Sequence, residues 1–331
     1  MIKKYAQIII GSLFVIAVMA LPVFGAVECS QCHGAWIDKV SSKSVLHTPF
    51  ISGECSGCHL DHGDSGELVL VLDGTDLCLK CHDNPDREFR EHLSGENGCL
   101  PCHDPHSSEE KNLTVKSFDE LCMLCHGKIV KASYVHQAIT YNGCQECHTP
   151  HGSALGKMLK EESDQICSGC HSILSEEERP HSALLKRSCA SCHDPHSSTQ
   201  YSLLKQEYRS DLYPGPYEEE KYSLCFSCHD SFLVTGKDLS DTGFRNGSVN
   251  LHTVHVLGKV RFTGEGLTVK GKSRSCANCH DPHGSVQAFS LKRYFECTET
   301  MCRTITFFPE PDGGRCLTAC HERASYTRQG G

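Results

Sequence analysis

The sequence predicts a chain that is mostly coil, with short α-helical turns wrapped around a stack of tethered groups and a minor β component in an insertion near the C terminus. Three observations predict it. The triplet C-x-x-C-H occurs ten times in 331 residues. It returns with a period, since Cys55, Cys99, Cys144 and Cys189 lie 44, 45 and 45 residues apart, and such a period marks a repeat architecture. Apolar residues are only 38% of the chain, and the 24 cysteines are counted among them. A large aliphatic core is therefore not available, and something other than side chains must fill the interior.

The first element, residues 1–25, reads as a secretory signal peptide. Lys3 and Lys4 precede an apolar run from Ile8 to Ala20, and small residues follow near Gly25–Ala26. The run is shorter than the roughly 17–25 residues of a spanning helix, which argues against the alternative of a retained anchor. Glu28 stands where a lipid-attachment site at Cys29 would need a small residue. The mature chain is thus expected to start near Ala26 in an oxidising compartment, periplasmic or secreted or on the outer surface. The formal charge is −9, and −11 once Lys3 and Lys4 are removed. This excludes the basic face of a nucleic-acid binder.

The triplets come next. Their cysteines are Cys29 and Cys32, Cys55 and Cys58, Cys78 and Cys81, Cys99 and Cys102, Cys122 and Cys125, Cys144 and Cys147, Cys167 and Cys170, Cys189 and Cys192, Cys225 and Cys228, and Cys276 and Cys279. Each pair is followed by its histidine: His33, His59, His82, His103, His126, His148, His171, His193, His229 and His280. A looser copy, Cys316 to Cys320 then His321, has one extra residue between the cysteines. Composition alone would give roughly a tenth of one copy. C-x-x-C-H is the attachment signature of c-type haem: two thiols add to the haem vinyl groups and the adjacent histidine ligates the iron beneath the tethered ring. Zinc sites and redox C-x-x-C pairs do not require a histidine after every second cysteine. About eleven haem c groups are therefore expected.

Eleven further histidines remain: His47, His62, His92, His106, His136, His151, His181, His196, His252, His255 and His283. Their number equals the number of motifs, so every iron can have two imidazoles. Met123, Met158 and Met301 are weaker rivals, Met123 lying inside a motif. In strings such as "CASCHDPHSS", the second histidine follows the first too closely to reach the opposite face of the same haem. His62, His106, His151, His196 and His283 are thus expected to serve neighbouring haems. Asp104-Pro105, Asp194-Pro195 and Asp281-Pro282 suit this, because proline fixes its own φ and turns the preceding residue out of the α region.

On these strings the sequence resembles the doubled C-x-x-C-H family of multihaem cytochromes c, found in bacteria that respire metals and other extracellular acceptors. The resemblance covers residues 47–321. It implies the multihaem cytochrome c fold, with coil and short helical turns around a stacked haem chain. The organisation expected is a single-haem segment at 26–46, regular paired repeats over 47–198, expanded repeats with insertions over 199–321, and a mobile tail at 322–331. The paired motifs are 23 residues apart in three units, 36 in the fourth and 40 in the fifth. About 28 mature residues per haem are too few for a separate domain around each ring, so the rings must share walls. Within 231–275, "KVRFT" is expected to enter a hairpin.

A nucleotide-binding reading of Gly266 to Ser273, which matches the Walker A pattern, lacks the strand–loop–helix context that the pattern needs. Cys297 and Cys302 belong to no regular motif and are expected to form a disulfide, the alternative being a long-spaced haem site of Cys302 with Cys320 that frees Cys316 to pair with Cys297. The function expected is electron transfer without catalysis, because a six-coordinate iron has no vacancy for substrate. The partners expected are other redox proteins: cytochromes, quinol-linked donors or an outer-membrane porin–cytochrome complex. Two alternatives stay open. One is a multihaem reductase of nitrite-like oxyanions with one open iron, most readily through His252 or His255, although no C-x-x-C-K variant occurs. The other is self-association into a conducting filament.

Overall fold

The computed structural model describes residues 29–62, 66–83, 92, 98–176, 178–236, 242–263, 266–269, 272–297, 302–318 and 320–329. The expected signal peptide lies outside the described residues. The chain divides into two compact units, Met1–Lys80 with Cys99–Lys116, and Cys81–Gly98 with Ser117–Gly331.

In the first unit, the helix Ser30–Ser41 carries Cys32 and His33. Its Trp36 packs edge-on to Phe50 and to His106, at 6.0 and 5.0 Å between ring centres. The two-residue strand Val45–Leu46 pairs antiparallel with Ser107–Ser108. The pairing continues where His47 N donates to His106 O at 2.9 Å. A leading histidine and a second histidine some sixty residues apart are thus tied through their backbones.

The second unit repeats this staple twice. Tyr134–Val135 pairs with Ser197–Ser198, and His136 N donates to His196 O at 2.9 Å. Arg179–Pro180 pairs with Gly284–Ser285, and His181 N donates to His283 O at 2.7 Å. Gly284 has no room for a Cβ, which would lie 2.5 Å from Arg179 O.

The two motifs of a repeat sit on different local structure. First motifs open on 3₁₀ turns, at Cys55–Gly57, Cys144–Glu146, Cys189–Ser191 and Cys276–Asn278. Second motifs close short helices, at Gly74–Cys78, Phe118–His126, Ser163–Ser168 and Ser223–Phe226. Asp119 and Glu120 in the first turn of Phe118–His126 complement the helix dipole.

A hairpin follows each first motif. Its histidine forms an isolated antiparallel bridge eleven residues on: His59 with Leu70, His103 with Thr114, His148 with Leu159, His193 with Leu204 and His280 with Leu291. A serine holds four of these hairpins from inside. The Oγ atoms of Ser108, Ser153, Ser198 and Ser285 donate to the carbonyls of Thr114, Leu159, Leu204 and Leu291.

Apolar burial is sparse. Among the described residues the buried apolar side chains are Val40, Tyr222, Val234, Val256, Ile305 and Tyr326. This agrees with an interior left to non-protein groups. The "KVRFT" hairpin is present as Lys259–Thr263 with Gly266–Val269. The Walker-type string therefore starts inside a β-hairpin and runs toward the 3₁₀ turn at Cys276.

The C-terminal β structure exceeds the expectation. A four-stranded antiparallel sheet runs in order through Tyr294–Cys297, Cys302–Glu310, Gly313–Thr318 and His321–Thr327. Two features differ from those expected. The segment expected as the start of a mobile tail forms the last strand, and Arg328 N donates to Asp312 O at 2.8 Å. The loose motif lies on a β-hairpin instead of a helical turn, with Cys316 opposite Phe307 and Ala324 and Thr318 opposite His321. The signal was legible, since the β-branched run "RTITF" precedes the turn residues Pro311, Asp312 and Gly313. The register also sets Cys297 opposite Cys302.

The close approach of strands at Gly313 makes the sheet testable. A Cβ there would run into Tyr326 O and lie 3.1 Å from Thr327 Cα. Gly313→Ala is expected to cost about 1–3 kcal/mol locally and to open the segment from 294 to 329 to limited proteolysis before the rest of the chain. Unchanged protection of that segment would contradict the strand register.

Candidate haem sites

The regular motif folds so that three groups share one side of a turn. The histidine N–H donates to the carbonyl of the first cysteine at 2.9 Å in the Cys29, Cys55, Cys99, Cys167 and Cys276 motifs, at 3.0 Å in the Cys225 motif and at 3.1 Å in the Cys144 and Cys189 motifs. This i to i+4 closure is one helical turn. It brings residues i, i+3 and i+4 to one face, which is the geometry needed to tether a ring by two thiols and ligate its metal from below.

Histidine rings from distant segments face one another. The centre-to-centre distances are 5.8 Å for His33 and His62, 6.0 Å for His59 and His106, 6.1 Å for His92 and His126, and 6.0 Å for His136 and His171. They are 5.9 Å for His148 and His196, 6.1 Å for His181 and His229, 6.1 Å for His193 and His283, and 6.5 Å for His252 and His280. In every pair one ring belongs to a motif and the other does not. The distance hardly varies, whereas the angle between ring planes runs from 10° to 81°. Rings that simply packed together would couple angle to distance. A metal between two imidazole nitrogens would not, because each ring is free to turn about its own bond. Two metal–nitrogen bonds of about 2 Å, plus about 1.1 Å from each nitrogen to its ring centre, add to about 6 Å. The residues present therefore fit a bis-histidine haem iron.

Many of the histidine Nδ1 atoms have partners within the fold. Motif histidines meet backbone carbonyls: His103 Nδ1 is 2.9 Å from Asn112 O, His148 Nδ1 3.0 Å from Lys157 O, His193 Nδ1 2.8 Å from Ser202 O, and His280 Nδ1 2.9 Å from Phe289 O. The histidines of the Asp-Pro-His phrases meet carboxylates, Asp104 at 3.8 Å from His106, Asp194 at 3.8 Å from His196, and Asp281 at 3.6 Å from His283. Each of these Asp Oδ1 atoms also accepts the histidine N–H, at 2.9, 2.9 and 3.0 Å. The Asp therefore fixes the turn as well as the ring. His252 Nδ1 meets the hydroxyl of Thr242 at 3.1 Å. Such partners set the tautomer and aim the other nitrogen. Burial, then the facing imidazole, pushes His136, His181 and His196 below the usual histidine range and His252 down to about 4. The shift favours the neutral ring, the form a metal ligand takes.

First thiols of successive motifs also meet. Hydrogen-bonding contact joins Cys29 to Cys55, Cys78 to Cys99, Cys122 to Cys144, Cys167 to Cys189 and Cys225 to Cys276. Burial and the neighbouring thiol push Cys144 up to about 12 and Cys189 up to about 11. Cys316 and Cys320 both act on Cys279. The loose motif thus lies beside the last regular one, whatever its own strand geometry.

Sequence reasoning named the histidines brought together in the eight pairs. It did not find the backbone carbonyls, which no residue type announces, or Thr242, which reaches His252 through the fold of an insertion. For His47, His82, His103, His151 and His255 the assignment to an iron still rests on the sequence count, and the side chain of His321 lies outside the described residues. Among the described residues, no helix is long and apolar enough to cross a membrane.

No curated protein matches the chain. A family model described as the doubled CXXCH motif matches residues 47–87, 92–131, 136–175 and 181–233. The matched spans take in the 3₁₀ motifs at Cys55, Cys144 and Cys189 and the four helical motifs described above, and the motif itself binds c-type haem. With more than half of its length matched, the chain belongs to the doubled CXXCH motif family and carries the multihaem c-type repeat.

Proposed function

We propose that the chain moves electrons along a row of about eleven c-type haems, each iron held by two histidines, outside the cytoplasm. The observation that carries this is the set of facing imidazole pairs at a near-constant 5.8 to 6.5 Å. The proposed ligand pairs are His33 with His62, His59 with His106, His126 with His92, His171 with His136, His148 with His196, His229 with His181, His193 with His283 and His280 with His252. The count leaves His47, His82, His103, His151, His255 and His321 for three more irons.

Haem, when bound, supplies one-electron redox chemistry. The protein's part is positional. Paired cysteines tether the rings, and contact between first thiols brings consecutive attachment points together. Two imidazoles per iron leave no position for a substrate, which supports a carrier over a reductase. The reductase alternative turned most readily on His252 or His255, and His252 faces His280. In this reading the partners are redox proteins that load and unload the row at its ends. Cys297 and Cys302, opposed across their hairpin, are proposed to form a disulfide that ties the sheet.

Two measurements test the reading. Intact mass of the secreted protein is expected to show eleven haem masses; ten would mean that the β-hairpin motif at Cys316 and Cys320 is unused, and fewer than ten would refute the attachment rule. His196→Ala is expected to leave the haem on Cys189 and Cys192 six-coordinate and to open the one on Cys144 and Cys147. One equivalent of carbon monoxide would then bind per chain, where the parent protein binds none. An opened Cys189/Cys192 haem, or no opened haem at all, would contradict the ligand pairs.

A further inference from the structure

The two long insertions have no counterpart in the regular repeats, and both close around one motif. From 199–224 come Tyr208, whose Oη accepts Ala277 N–H at 2.6 Å, and Tyr222, which is 1% exposed. Tyr222 lies edge-on to Tyr208 at 6.3 Å and parallel to Tyr217 at 5.7 Å. Ser275 and Asn278, both buried, cap the motif turn, Ser275 N donating to Asn278 Oδ1 at 2.7 Å.

From 231–275 comes the helix Leu251–Val256, which presents His252 to His280. Phe244 backs His252 at 5.1 Å, and Val234 and Val256 are buried beside that helix. Water is correspondingly excluded: Tyr222, Thr242, Ser275 and Asn278 are all buried.

The distal histidine differs too. His106, His196 and His283 each have a carboxylate beside Nδ1. His252 has the buried Thr242 hydroxyl, which also accepts Phe244 N–H at 3.1 Å. Asp281 follows His280 just as Asp104 and Asp194 follow His103 and His193, so it does not distinguish this site from its counterparts.

Oxidising a bis-histidine haem adds a positive charge. Burial withdraws the water that would stabilise that charge, and a hydroxyl stabilises it less than a carboxylate does. We infer that the residues around Cys276–His280 build the highest-potential haem site among the eight facing pairs, a station where an electron comes to rest before it leaves the chain. This rests on the bis-histidine reading proposed above.

The test is a spectroelectrochemical titration of the fully loaded protein and three variants. Thr242→Asp is expected to move the highest-potential one-electron step downward. Thr242→Val, which removes the acceptor for Nδ1–H, should move the same step upward. The remaining steps should stay in place. Tyr222→Leu approaches the site from the other wall; by admitting water it should lower that step, and it serves if a Thr242 variant loses haem by mass. The inference is overturned if the highest step stays fixed while a lower one responds, or if no step responds in any variant. A high-spin iron at this site in the unmodified protein would instead overturn the ligation on which the inference rests.

Discussion

The facing of two imidazoles from distant parts of the chain is the constraint on which the rest depends. His148 and His196 are nearly fifty residues apart in sequence, and His193 and His283 ninety, yet each pair meets at about 6 Å. A chain that buries few apolar side chains has little hydrophobic free energy with which to close loops of that length. Closure entropy grows only slowly with loop length, so one strong link can hold a long segment. A metal shared by two rings would be a link of that strength, and the proposed function and the architecture would then have the same origin.

The links interlace. A second histidine such as His196 reaches back to the motif of an earlier repeat, at His148. A leading histidine such as His136 reaches forward to a later motif, at His171. The two are themselves tied, His136 N to His196 O, in a two-residue antiparallel staple. Each repeat thus faces its second motif with its own leading histidine, as His136 does for His171, and takes the facing histidine of its first motif from the next repeat, as His148 does from His196. In the proposed arrangement, sharing of this kind would let about 28 residues serve each haem. The staple also explains the spacing of the phrase: Pro195 and the Asp194 carboxylate turn the chain within three residues, so that His193 faces His283 while His196 faces His148.

The covalent and ligating chemistry was legible in the sequence because it fixes residue type. The tether requires cysteine and the triplet carries its own histidine, so the triplets, the period and the matching number of spare histidines could be read directly. Local conformation was less legible. That first motifs take 3₁₀ turns while second motifs end helices depends on what precedes them. Gly143 and Ser188, at φ 77° and 83°, break the chain just before Cys144 and Cys189, whereas Ser117 opens a helix before Cys122. The C-terminal sheet was missed for another reason. Its strands carry the loose motif, and the expectation of helical turns at every motif was carried over to a spacing that does not fit one. An extra residue between Cys316 and Cys320 takes the cysteines from i, i+3 to i, i+4 and the histidine to i+5, where a single helical turn cannot bring all three to one face.

The backbone at the motif histidines shows why some functional contacts leave no trace in residue type. Asn112 and Leu113, Lys157 and Met158, Ser202 and Leu203, and Phe289 and Ser290 all have φ between 51° and 62°. Two successive left-handed non-glycine residues cost roughly 1–2 kcal/mol each, and asparagine is the one residue type here that tolerates the region well. The conformation persists because both carbonyls it exposes are used. The first accepts from the motif histidine Nδ1, as Lys157 O does from His148. The second accepts the N–H just after that histidine, as Met158 O does from Thr149 at 2.8 Å. Because the carbonyls do the holding, the side chains are free to differ, and Asn, Lys, Ser and Phe occupy the same place. Glycine would relieve the strain but would also widen the loop's alternatives. The strained turn instead offers one orientation of the ring, which in the proposed arrangement would leave Nε2 free for the metal.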